Sequence, residues 1–142
     1  MLLNDIEFLI CDVAILWRRL VGARSKELGI SNIERRIMLQ AKRHPGATQV
    51  EIANLIDIEP QNLIQPLDKL IANGWIEKRG DDKDRRVKRI FLTEPSKPIL
   101  SKIHAIGDTI RPEILGNMSK ADAEKLMQQL TEMKQRLEDF LE

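Results

Sequence analysis

Between Trp75 and Thr93 the apolar spacing of this 142-residue chain becomes that of paired strands, and no other stretch constrains the fold as tightly. Trp75–Arg79 and Val87–Thr93 are rich in β-branched and aromatic residues and flank a polar loop, Gly80–Arg85. Ile90 and Leu92 alternate with Arg89 and Phe91, as a half-buried strand requires. Two short helices precede this hairpin directly. Thr48, with Glu51 three residues on, starts a helix over Gln49–Ile56 that is expected to bury Val50, Ala53 and Leu55 or Ile56. Asp57-Ile58 makes a turn, and Pro60 opens a second helix at the position where its missing N–H costs nothing. Leu63, Leu67, Leu70 and Ile71 form its apolar face, and Asn73-Gly74 supplies a left-handed stop. Two helices across a tight turn, followed at once by a basic hairpin, describe a winged helix-turn-helix.

Helices flank this unit on both sides. From about Asn4 to Lys26, Ile6, Leu9, Ile10, Val13, Leu16, Trp17 and Leu20 recur on one stripe. After Gly29, Ser31 and Glu34 form a capping box for a helix that Pro45-Gly46 ends near His44. Beyond Pro98, Ile99, Ile103, Ile106 and Ile110 share a helical spacing. Ser119, with Asp122 at its third position, then caps a last helix carrying Leu126, Leu130, Met133, Leu137 and Phe140 or Leu141. The expected fold is mainly α, a winged helix-turn-helix with dimerisation helices at both ends. Its divisions are 1–30 for the first dimerisation helix, 31–97 for the DNA-binding domain and 98–142 for the C-terminal helices. A domain of this size buries one such apolar face, and a further long exposed one marks an interface.

Composition narrows the function. One cysteine, Cys11, excludes an internal disulfide and a multi-cysteine zinc site. The start lacks a basic segment followed by a long apolar run, and no stretch reaches the ~20 apolar residues of a membrane span. The chain is therefore expected to be cytoplasmic, without membrane contact and without cofactor. The two histidines, His44 and His104, pair with no cysteine or serine in a catalytic arrangement, and no glycine-rich phosphate loop is present, so an enzyme is not expected. Net charge is only +1, yet Lys78–Arg89 holds seven basic and three acidic residues, while Glu94–Glu142 holds seven basic and nine acidic. A basic patch on a near-neutral chain is a local binding surface.

Double-stranded DNA fits that surface. With the leucines of the second short helix facing inward, Gln61, Asn62, Gln65, Pro66 and Lys69 face outward. The amides suit adenine edges in the major groove, and Lys69 suits a phosphate or guanine. On the wing, Arg85 and Arg86 are the candidates for the narrow minor groove, where negative potential concentrates. Arg79, Lys83, Lys88 and Arg89 complete the basic set. Asp84 cannot face phosphate without cost, and is read as pairing with Arg86 or Arg89 to fix the wing.

Asp84-x-Arg86-x-x-Arg89 followed by Phe91-Leu92-Thr93 resembles the wing motif of the MarR (multiple antibiotic resistance regulator) family. Ile58-Glu59, Leu63, Leu67-Asp68-Lys69-Leu70 and Gly74 resemble its recognition helix, closest to the SlyA-like branch. The resemblance runs from Leu16-Trp17-Arg18 to the final helix. It implies a homodimer with intertwined first and last helices, bound to a roughly palindromic operator. Repression or counter-silencing would be relieved by small phenolic or anionic effectors. It also implies Arg86 as the minor-groove arginine, Asp84 as its orienting partner and Arg89 in the same network. Trp17, Arg18 and Arg35 would fall at the ligand pocket, where relatives often carry an aromatic residue in place of Arg35. An arginine there could receive a ligand carboxylate or point to solvent.

Four positions depart from the pattern. Gln65 stands where the SlyA-like branch often has Arg, and Ser96 where many relatives have Gly. Pro66 removes a backbone donor inside the recognition helix, at about 3 kcal/mol or a bend. Arg35 is the fourth. Two rival functions follow. One is a winged-helix module for protein–protein contact, which Pro66 makes worth weighing. The other is a peroxide sensor acting through Cys11, which the absence of tyrosine and of a nearby basic residue disfavours.

Overall fold

The computed structural model describes Leu2–Glu142, which divide into two compact units, one ending at Gly107 and one beginning at Asp108. In the first unit a 3₁₀ turn, Leu3–Asp5, leads into α1 (Ile6–Arg24). Then come α2 (Asn32–Arg43), α3 (Gln49–Leu55), α4 (Pro60–Ala72), β1 (Ile76–Gly80) and β2 (Lys88–Leu92). Helix α5 (Lys97–Leu115) begins in the first unit and ends in the second, which also holds α6 (Lys120–Leu141). The fold is mainly helical with one antiparallel hairpin, the winged-helix arrangement that the hairpin and its two preceding helices imply.

The expected stops and starts hold the helices in place. Ser31, Thr48 and Ser119 each accept a hydrogen bond from the backbone N–H three residues on. Thr48 and Glu51 complete a reciprocal box, with the Thr48 N–H donating to the Glu51 carboxylate. At Ser31 only half of the expected box forms, because the Glu34 side chain turns to Lys69 on α4 instead. The turn between α3 and α4 is a Schellman motif: Ile58 N–H donates to the Ala53 carbonyl at 3.0 Å and Asp57 N–H to the Asn54 carbonyl at 3.2 Å. Asp57 occupies the left-handed region at φ 57°, which Asp tolerates better than most residues. Gly74, at φ 79°, closes α4 in the same way, with Trp75 N–H on the Leu70 carbonyl at 3.1 Å.

The core of the first unit is continuous. Ile37 and Met38 of α2, Ile52 and Ala53 of α3, Leu63, Leu67 and Leu70 of α4, Ile76 of β1 and Ile90 of β2 pack in one cluster that Ile99, Leu100 and Ile103 of α5 extend. The inward face of α3 differs from expectation. Val50 and Leu55 are 54% and 44% exposed, while Ile52, Ala53 and Ile56 are buried. A seven-residue helix with five apolar side chains in or next to it offers two faces, and the Schellman turn selects the one that carries Ile56 inward.

The hairpin register pairs Ile76 with Leu92, Lys78 with Ile90 and Gly80 with Lys88. A third segment joins it: Gly46 N–H donates to the Ile90 carbonyl and Ile90 N–H to the Ala47 carbonyl, at 3.0 and 2.9 Å. The wing is thereby bonded to the loop that opens α3. Outside this core the apolar stripe of α1 stands uncovered, with Ile6, Leu9, Ile10, Val13 and Leu16 all 44–56% exposed. In the second unit no residue of α6 is buried. No helix among the described residues is long and apolar enough to cross a membrane.

Candidate nucleic-acid interface

Helix α4 offers its outer side to solvent as its leucine spacing dictates. Leu63, Leu67 and Leu70 are fully buried, leaving Gln61, Asn62, Gln65 and Lys69 exposed. The helix is continuous through Pro66. The carbonyl that the Pro66 nitrogen cannot satisfy belongs to Asn62, one turn earlier, and both residues lie on the solvent side, where water can replace the lost bond. Ile64, 49% exposed, also lies on this outer side; an apolar group there suits a thymine methyl, and the leucine pattern alone did not single it out.

The wing loop is built on two aspartates with separate tasks. Asp81 accepts the backbone N–H groups of Lys83 and Asp84 on one oxygen, at 3.0 and 3.1 Å, and Arg89 Nε on the other at 2.7 Å. Arg89 also donates to the Gly46 carbonyl at 2.9 Å, which ties the wing to the loop before α3. Asp84 accepts the backbone N–H and Nε of Arg86 at 3.0 and 3.1 Å, and its second oxygen accepts Nη2 at 3.2 Å. The expected Asp84–Arg86 pair is therefore present. The alternative Asp84–Arg89 pair is not: Arg89 belongs to Asp81, which the turn brings beneath β2. The hydrogen bond from Arg89, then those from the backbone of Asp84 and Lys83, hold the Asp81 carboxyl below its ordinary pKa, and the bonds from Arg86 do the same for Asp84. The Arg89 guanidinium is raised in turn.

The basic residues thus fall into two groups. Arg79 lies over the Phe91 ring, 4.2 Å from its centroid, and pairs with Glu77; Arg89 is held by Asp81. These two are committed to the hairpin. Lys83, Arg85 and Lys88 are exposed and form no ion pair among the described residues, and the Arg86 side chain is 92% exposed even with Asp84 attached. Arg86 is aimed by its carboxylate without being covered by it.

The suggested ligand residues occupy a different place. Arg35, which could have pointed to solvent, is 5% exposed, with its Nε buried and unpartnered. It donates to the Asn32 side chain one turn earlier. Burial, then the charges of Arg36 and Arg18, push its guanidinium below its ordinary value. Arg36, a neighbour absent from the sequence reading, donates to the Ile56 carbonyl at 2.7 Å. Arg18 and Arg35 are thus brought into one cationic neighbourhood, whereas Trp17 is only partly buried and makes no side-chain hydrogen bond among the described residues. Cys11 is exposed on α1. Among the described residues no cluster of His, Cys, Asp and Glu could hold a metal.

The MarR family profile matches residues 28–87, the stretch from the end of the α1–α2 connection through the wing loop. The transcriptional regulator PA3341 superposes with a TM-score of 0.82 at 27% identity, covering 94% of this chain and 98% of its own. The transcriptional regulator SlyA matches with a TM-score of 0.78 at 22% identity, over 95% of each chain. Apo wild-type MarR from E. coli matches with 0.77 at 22% identity, over 94% of this chain and 96% of its own. At those identities the last two show the shared fold. The profile falls on the helix-turn-helix and its wing, and the structural matches extend over nearly the entire chain: residues 28–87 carry the MarR family signature, and the chain has the fold of the MarR-type transcriptional regulators.

Proposed function

We propose that the protein is a DNA-binding transcriptional repressor that acts in the cytoplasm as a homodimer on a pseudo-palindromic operator. Helix α4 would lie in the major groove with Gln61, Asn62 and Gln65 toward base edges, and the wing would follow the adjacent minor groove. The observation that carries this reading is the Asp84–Arg86 pair. A bidentate carboxylate fixes the guanidinium plane, yet leaves the side chain 92% exposed. Such a side chain has lost rotamer freedom without gaining burial, an arrangement suited to a partner outside the chain. A minor-groove wall is the partner that a planar cation beside Lys83, Arg85 and Lys88 fits. The uncovered stripes of α1 and α6 support the dimer, since apolar faces of that length favour association.

The test is binding to duplexes selected from random sequence, measured across a salt series. Affinity should fall steeply from low to moderate salt as counterions are released. Arg86→Ala should weaken binding at least tenfold while the dimer persists. Salt-independent binding together with an inert Arg86→Ala would leave the winged helix as a protein-contact module instead.

The Arg35 neighbourhood supports regulation by a small anion, phenolic or carboxylic. A buried guanidinium with an unpartnered N–H beside two more arginines is a site that an anion would relieve. Titration with a phenolic carboxylate should release DNA from the wild type and not from Arg35→Gln.

A further inference from the structure

Among the described residues of the first unit, Glu34 and Lys69 form the one ion pair that joins a buried carboxylate to the face proposed to read DNA. Lys69 Nζ lies 3.4 Å from Glu34 Oε1; the Glu34 side chain is 5% exposed and that of Lys69 58%. Lys69 is the only cation of α4. The second Glu34 oxygen, Oε2, is buried and has no hydrogen-bond partner. The local alternative for Glu34 was the N-cap of its own helix, three residues away, and the side chain does not take it.

These facts fix which way the pair is biased. A carboxylate removed from water with one oxygen unsatisfied depends heavily on its cation, and leaving it alone is strongly unfavourable. An ammonium on a flexible four-carbon stem could otherwise swing outward from the recognition helix to a phosphate. To do so here it must abandon a buried charge, whereas a phosphate offers it only a solvent-exposed one. We infer that Glu34 withholds Lys69 from DNA, so that α4 enters the groove as an electrically uncommitted surface and the phosphate contacts come from the wing. Glu34 acts here as a positioning residue. The inference rests on the DNA-binding reading above and sharpens it, because Lys69 then leaves the set of groups that touch DNA.

Each phosphate that a cation neutralises adds about 0.9 to the slope of log affinity against log salt. A Lys69 held by Glu34 adds nothing, and this is what the experiment reads. Full-length wild type, Lys69→Gln, Glu34→Gln and the double variant are titrated with one selected duplex at about 50 and 200 mM salt and at points between. Lys69→Gln should leave both the slope and the affinity within about twofold of wild type. Glu34→Gln frees the lysine and should steepen the slope by about 0.9, an extra loss of roughly 3.5-fold across that range. The double variant should return to the wild-type slope. A merely structural pair would lower thermal stability in Glu34→Gln and leave the slope unmoved, which would overturn the inference. A slope that falls by about one in Lys69→Gln alone would overturn it as well, and this solvent-facing change settles the matter even if Glu34→Gln does not fold. Failure of the wild type to bind any duplex in a salt-dependent way sinks the DNA reading itself, a result distinct from either of these.

Discussion

The winged helix and the terminal helices solve the problem of apolar surface in opposite ways. From Ile30 to Ile103 nearly every large aliphatic residue on an inward face finds a partner within the same chain: Ile37, Ile52, Leu63, Leu67, Leu70 and Ile90 are 0% exposed. On α6, Leu130 and Leu137 repeat with the same regularity and remain 44% and 61% exposed. The amphipathic code is equally clear in both; what differs is that the single chain supplies a complement only for the first. A sequence pattern states that a face is suited to burial, not what would bury it.

The comparison can be broken at its strong end first. Leu67→Ala removes a fully buried side chain from the centre of the cluster and should cost about 2–5 kcal/mol in chemical denaturation. If the wing, α3 and α4 share one core, all spectroscopic probes in that region should report the loss in a single transition. At the other end, Leu130→Asp alters a side chain 44% exposed in the single chain. A solvated position would register within about 0.5 kcal/mol. An interface position should instead raise the dimer dissociation constant at least tenfold by sedimentation equilibrium, with the NMR spectrum of the winged helix retained. No change in association would mean that α6 is a solvated helix.

The wing tests the comparison on a finer scale, since its partners are polar. Asp81→Ala removes the acceptor of Arg89 and of two backbone N–H groups, and should loosen the loop and weaken DNA binding several-fold while thermal stability changes little. The smallest effect is that of acid. Asp81 and Asp84 carry pKa values lowered by Arg89 and Arg86. Their contribution to wing order is complete above the ordinary carboxylate pKa, about 3.9, and is lost as pH falls through their lowered values. Carboxyl carbon shifts followed by NMR should show both groups titrating below the ordinary aspartate value; titration at that value would mean the pairs do not persist in solution.

Legibility in the sequence followed distance along the chain. Caps at Ser31, Thr48 and Ser119, the leucine face of α4, its Gly74 stop and the hairpin were readable because each depends on residues within a turn or two. Asp84–Arg86 was readable for the same reason. The partner of Arg89 was not, because Asp81, Asp82 and Asp84 all lie within reach on paper and only the fold of the loop chooses among them. Glu34 followed the local rule in its backbone and broke it in its side chain, drawn to a lysine 35 positions away. Val50 was misplaced because a helix of seven residues is too short for periodicity to outvote tertiary packing. Arg35 could be marked but not oriented, and its burial beside Arg18 and Arg36 depends on the meeting of separate helices.

The bond from Arg89 to the Gly46 carbonyl, with the backbone bonds beside it, carries one more consequence. It bolts the wing strand to the same loop from which α3 springs, so the root of the wing has a fixed place beside the helix-turn-helix in the chain alone. On the DNA-binding reading proposed above, a protein built this way would work as a caliper. Its jaws would open to one width, and a duplex whose neighbouring grooves are spaced otherwise would be refused on dimension alone, before a single base edge is read.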